Sequence, residues 1–205
     1  MKTFNYPRNW KALTERPKIA AENLEAVVNK VLSAVKTKGN EAVKKYTAEF
    51  DQVSLEDFKV FQAEIEAAIA LVPEDLKAAI QQAKKNIEVF HSSQREAVQM
   101  VETMEGITCW RKSVAIDKVG LYIPAGTAPL FSTVLMLGVP AKLAGCQEIV
   151  LCSPPTKEGK INPVILYTAS LVGCTQIFKI GGVQAIGAMA YGTETVPTVY
   201  KIFGP

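Results

Sequence analysis

Val119-Gly-Leu-Tyr-Ile-Pro-Ala-Gly-Thr-Ala-Pro-Leu-Phe-Ser-Thr-Val-Leu-Met136 is the stretch whose reading decides the fold. Its first five residues, Val119 to Ile123, form an apolar run suited to a buried strand. Pro124 to Pro129 supply turn chemistry, and the apolar residues from Phe131 to Ala144 suit a buried helix that Gly145 ends. Pro140 must remove one backbone bond from that helix or kink it. The same theme recurs three more times towards the carboxyl end. Glu148-Ile-Val-Leu-Cys152 reads as a second strand, followed by a Ser-Pro-Pro turn and a helix led by Pro163 and closed near Val172-Gly173. Gln176-Ile-Phe-Lys-Ile180 reads as a third strand, Gly181-Gly182 as its turn, and Val183 to Tyr191 as a helix with Gly192 after it. Thr198-Val-Tyr-Lys-Ile-Phe203 is the fourth strand. Apolar runs separated by crossovers of helical length imply an α/β fold whose parallel sheet is covered on both faces, a Rossmann-like unit.

Upstream of Asp117-Lys118 the pattern is different. Leu24, Val27, Val28, Val31, Leu32 and Val35 recur at spacings of three and four, one apolar stripe on a helix that should stop at Gly39. Asn40 is placed to cap a following helix from Glu41 to about Phe50. A third helical stretch around Ile65, Ile69 and Leu71 ends at Pro73. Pro73-Glu-Asp then opens a longer helix towards Phe90, with Leu76, Ile80, Ala83, Ile87 and Phe90 expected to face inward. After Arg95 the period falls to two, and the stretch from Val98 to Ile116, with Thr103-Met-Glu-Gly106 at its middle, reads as a hairpin. The expected organisation is therefore an arm over residues 1–16, a helical α+β part over 17–117, and an incomplete Rossmann-like domain over 118–205.

Composition excludes several function classes. The 23 Lys+Arg against 20 Asp+Glu give a net charge of +3, and the basic residues form no run, so nucleic acid is a poor partner. No apolar stretch reaches the roughly 18 uninterrupted residues of a membrane span, and the start Met-Lys-Thr-Phe-Asn-Tyr-Pro has no secretory apolar core. These features read as cytoplasmic. Cys109, Cys146, Cys152 and Cys174 form no C-x-x-C pair, and His91 is the single histidine, so neither a zinc ribbon nor a thioredoxin motif can be built. The cysteines read as reduced, mostly buried thiols, and His91 as a solvated residue on a charged helix.

Ligands of open parallel sheets bind at the carboxyl ends of the strands, where helix N-termini offer N–H groups. Two residues fall on that edge with useful chemistry. Tyr122 ends the first strand and can stack on, or hydrogen-bond to, a flat ring or ribose. Gln184 follows Gly181-Gly182, where a cofactor can approach backbone. Against this, a strand-end tyrosine is commonly a half-buried core residue, and a Gly-Gly pair commonly just a turn. Neither G-x-G-x-x-G nor G-x-x-x-x-G-K occurs. These residues by themselves imply only a small-molecule crevice in an α/β sheet.

The run from Val119 to Met136, Gly-Gly-Val-Gln-Ala-Ile from Gly181 to Ile186, and the closing Lys-Ile-Phe-Gly-Pro from Lys201 to Pro205 resemble histidinol dehydrogenases, the last being similar to the start of that family's Gly-Pro-Gly-Asn segment. The resemblance is dense from about Asp117 onward and looser in the helical half. It implies a homodimeric enzyme of histidine biosynthesis that oxidises L-histidinol to L-histidine through an aldehyde, with two NAD⁺ used in succession and one zinc ion per site. It further implies that Tyr122 and Gln184 contact NAD. The family's zinc ligands, its Glu-His pair and its substrate anchors belong to the second half of the protein, so no catalytic and no metal residue is expected in this chain. The end at Gly204-Pro205 reads as a cut, and the 205 residues alone are expected to be inactive. Two other readings compete: a non-catalytic nucleotide-binding or dimerisation module, and an aldehyde oxidiser with Cys152 as nucleophile.

Overall fold

The computed structural model describes residues 22–124, 126 and 128–205; the segment read as an arm, 1–16, lies outside them. The chain opens with helix α1, Glu22–Lys38, then α2, Asn40–Tyr46, which passes directly into a π-helical turn, Thr47–Asp51. Helices α3, Gln62–Leu71, and α4, Glu74–Ser92, follow. Strands β1, Met100–Met104, and β2, Ile107–Trp110, form an antiparallel hairpin. The carboxyl part alternates strand and helix as its sequence implies: β3, Lys118–Tyr122; α5, Phe131–Ala144; β4, Glu148–Ser153; α6, Pro163–Val172; β5, Gln176–Lys179; α7, Gly182–Tyr191; and β6, Lys201–Phe203.

The four later strands pair in parallel in the order β5-β4-β3-β6. The chain builds outward from β3 through β4 to β5, then returns to the other side of β3. This reversal makes a topological switch point between β3 and β6, the place where open α/β sheets take ligands.

Alternation along each strand divides the core. Val150, Cys152, Phe178 and Ile180 turn to one face and pack with Val31 and Val35 of α1, Val43 and Tyr46 of α2, and Ala185, Ala188 and Met189 of α7. Leu151 and Ile177 turn to the other, against Ala68 of α3, Ile80 of α4, Val134 and Val139 of α5, and Ile165 and Ala169 of α6. Leu121, Ile149, Leu151 and Phe178 are wholly excluded from solvent, each contributing about 1.5–3 kcal/mol of burial. The helices of the first half thus cover the sheet of the second. Lys179, at the end of β5, reaches across to Glu64 of α3, its ammonium donating to both carboxylate oxygens at 3.1 and 3.2 Å.

Several expectations change. The cap of α2 is Gly39, not Asn40. The Asn40 backbone N–H instead donates to the Glu194 carboxylate at 2.8 Å, and its side chain donates to Thr195, so a distant carboxylate does the capping. The helix expected to run to Phe50 leaves α-geometry after Tyr46. Phe90, expected inward, is 64% exposed, and Leu24 and Val27 are exposed too, because these helices extend past the sheet they cover. The fourth strand is confined to Lys201–Phe203; Val199 instead donates its N–H to Met189 at the end of α7. Helix α5 continues past Pro140, and Met136, whose carbonyl loses the bond, is exposed.

Candidate cofactor site

The carboxyl ends of β3, β4 and β5 bring Tyr122, Ser153-Pro154 and Gly181 to one edge of the sheet. Tyr122 is the last residue of β3, and Gly204, just past β6, lies so close that a Cβ there would sit 3.2 Å from the tyrosine Cβ. Tyr122 therefore marks the switch point itself. Its hydroxyl accepts the Gly182 N–H at 3.0 Å, leaving the hydroxyl hydrogen to donate elsewhere. Partial burial raises the phenol pKa, with a smaller opposing effect from the Gly182 N–H and a smaller reinforcing one from the Asp51 charge. The group is a neutral donor at physiological pH.

Gly182 begins α7 at φ 55°, a left-handed geometry that suits a residue without Cβ. Directly beneath it lies Gln184. A Cβ on Gly182 would come 2.8 Å from the Gln184 Oε1. The glutamine is fully buried. Its Nε2 donates to Asp51 Oδ2 at 3.2 Å, whereas its Oε1 is buried with no hydrogen-bond partner among the described residues. Burying an amide oxygen without a partner costs about 1–3 kcal/mol. Such an atom is a candidate acceptor for a ligand donor.

The structure thus brings both sequence-derived candidates together, with Gly182 between them, and adds one that was missed. Asp51 comes from the helical half, 133 residues from Gln184 in sequence. Nothing in its local sequence marks it, but its backbone does. It closes a π-helical turn, a feature frequent at functional sites, and Gln52 after it is the one non-glycine residue with positive φ among those described. Desolvation raises the Asp51 pKa, with the Gln184 hydrogen bond opposing it.

The profile of the family described as "Histidinol dehydrogenase" matches residues 14–205. The chain belongs to the histidinol dehydrogenase family. A curated histidinol dehydrogenase of Bacteroides thetaiotaomicron is 58% identical over all of this chain and 48% of its own length. That of Yersinia pestis is 48% identical over 98% of this chain and 47% of its own. The crystal structure of histidinol dehydrogenase from Elizabethkingia anophelis superposes with a TM-score of 0.92 at 54% identity, covering 96% of this chain and 45% of that one. The chain spans about half the length of the curated relatives it matches.

Among the described residues, no three His, Cys, Asp or Glu side chains group to hold a metal. Cys152 is wholly buried and desolvation drives its thiol pKa strongly upward, opposite to what a nucleophile requires. His91 is half-buried, its Nδ1 2.8 Å from the Gln94 side-chain oxygen. No described helix is long and apolar enough to cross a membrane.

Proposed function

We propose that this chain forms the NAD-binding side of a histidinol dehydrogenase, a homodimeric cytoplasmic enzyme that oxidises L-histidinol to L-histidine with two NAD⁺. The observation that carries the reading is the meeting of Tyr122 and Gln184 about Gly182 at the carboxyl edge of the parallel sheet. These residues fit a dinucleotide. Gly182, exposed and without side chain, lets the cofactor approach the start of α7. Tyr122 offers a ring edge and a hydroxyl hydrogen to a ribose or ring acceptor. The buried Gln184 oxygen offers the complementary acceptor.

When bound, NAD⁺ supplies the acceptor for the hydride leaving the alcohol and then the aldehyde. The part of this chain is to bind and orient it. Packing fixes both contact groups, since Tyr122 is tied to α7 and Gln184 to Asp51, so little ordering entropy remains to be lost on binding. The bases that take substrate protons and the zinc ligands belong, by the family resemblance, to the half that follows in longer relatives. On that basis the 205-residue chain alone binds without turnover.

The test is NADH formation by the protein at its full encoded length when L-histidinol is supplied. Two NADH per histidine formed are expected. Binding of NAD⁺ with no reduction by histidinol would favour a non-catalytic nucleotide-binding or dimerisation module.

A further inference from the structure

We infer that Asp51 is a positioning residue for the cofactor, acting through Gln184 by fixing which end of its amide faces the ligand. This inference rests on the cofactor reading above and deepens it by naming the chemistry that Gln184 recognises.

A glutamine amide has a donor end and an acceptor end of nearly equal shape, and a buried one with no neighbours could sit either way. A carboxylate removes that freedom because it only accepts. Asp51 Oδ2 takes the Nε2 hydrogen at 3.2 Å, which turns Oε1 to the opposite side, beneath the exposed Gly182. Oε1 there is buried and unpartnered. The ligand group that satisfies it must be a donor: a carboxamide NH₂, an exocyclic amine or a ribose hydroxyl.

Four further observations mark the segment that carries this carboxylate. The π-helical turn adds one residue to the winding before Asp51. Thr47, at the start of that turn, has its hydroxyl buried without a partner. Gln52 takes the left-handed conformation at φ 58° immediately after. Asp51 is also pressed against Gly181, where a Cβ would come 2.9 Å from its Oδ1. The buried unpartnered hydroxyl and the left-handed glutamine each cost free energy. They converge on the residue that orients Gln184.

The experiment is a double-mutant cycle on NAD⁺ affinity, measured by calorimetry in the full-length protein, with denaturant unfolding of each variant alongside. Asp51→Ala and Gln184→Ala are each expected to weaken NAD⁺ by about tenfold, the size of one well-made hydrogen bond. The double variant is expected to be no weaker than either single one, because both remove the same contact. Asp51→Asn, whose amide can accept or donate and so no longer dictates which end of Gln184 faces the ligand, should bind between wild type and Asp51→Ala, whereas the similarly sized but apolar Asp51→Leu should behave as Asp51→Ala. This contrast holds the inference to test should the alanine variant unfold. Independent, multiplying effects of the two alanines, or an Asp51→Leu protein that binds as wild type while Gln184→Ala does not, would overturn it. Unchanged affinity in Gln184→Ala would remove the cofactor reading first, and this inference with it.

Discussion

The Tyr122 hydroxyl accepts the Gly182 N–H at 3.0 Å, joining the end of β3 to the start of α7 across 60 residues of sequence. In the sheet β3 is separated by β4 from β5, the strand that leads into α7. The bond therefore bridges the carboxyl edge and fixes the distance between the tyrosine ring and the glutamine beneath Gly182. The site's geometry is set by that span, and its chemistry by what Asp51 does to Gln184.

Gly182→Ala should harm the site more than the fold. The φ of 55° costs an alanine about 1–2 kcal/mol, and its Cβ would meet the Gln184 Oε1 at 2.8 Å. A flexible amide can give way, so the chain should still fold with that modest loss in urea unfolding. NAD⁺ affinity should fall by more than the stability change accounts for. Affinity equal to wild type would show that the space over Gln184 is not used.

Gly138→Ala tests packing away from the edge. A Cβ there would lie 2.5 Å from Val172 Cγ2 and 3.0 Å from its Cβ, so α5 and α6 must separate or a buried valine must shift. Overpacking of this kind costs about 1–3 kcal/mol. Urea unfolding should show that loss while NAD⁺ affinity of the folded protein stays unchanged.

The four cysteines should separate by reactivity. Cys109 is exposed on the hairpin, while Cys146 and Cys152 are buried. Desolvation pushes the Cys174 thiol up to about 12 and raises Cys146 and Cys152 as well. Since the thiolate is the reacting species, a thiol reagent near neutral pH should modify Cys109 first, with Cys152 reacting only on unfolding. Rapid labelling of Cys152 in native protein, read by mass spectrometry, would contradict the packing of β4.

Much of this fold is legible in the sequence, for identifiable reasons. Strands buried on both faces leave continuous apolar runs such as Ile149-Val-Leu-Cys152, and Gly145 and Gly173 stop α5 and α6 in left-handed geometry as expected. Half of the site is legible on the same grounds, because strand ends and the turns after them place Tyr122 and Gln184. Asp51 is not legible. A π-helical turn has no periodic signature of its own, and the pairing of Asp51 with Gln184 exists only once α2 is laid on the sheet beside α7. Phe90 is misjudged for a different reason: an apolar stripe says which face of α4 is inward, not where the surface beneath it ends.

Asp51→Asn should also change the pH dependence of stability. Desolvation raises the folded-state pKa of Asp51 above its unfolded value. The fold therefore favours the protonated form, and ionisation penalises the native state as pH rises from the unfolded pKa through the folded one. The asparagine variant should match wild type in stability near about pH 3 and gain on it towards about pH 7. Tyr122 is the neighbouring group that feels the Asp51 charge, and it stays neutral across this range. A wild-type protein that gains on the variant as pH rises would mean the carboxylate is stabilised where it lies.

The central claim is met most directly by titrating NAD⁺ into the full-length protein and into its Tyr122→Ala and Gln184→Ala variants by calorimetry, with circular dichroism to establish that each is folded. The account predicts that both variants keep their fold and lose about tenfold or more in cofactor affinity. Folded variants that bind NAD⁺ as tightly as wild type would contradict it, and would move the cofactor away from the edge where β3, β4 and β5 end.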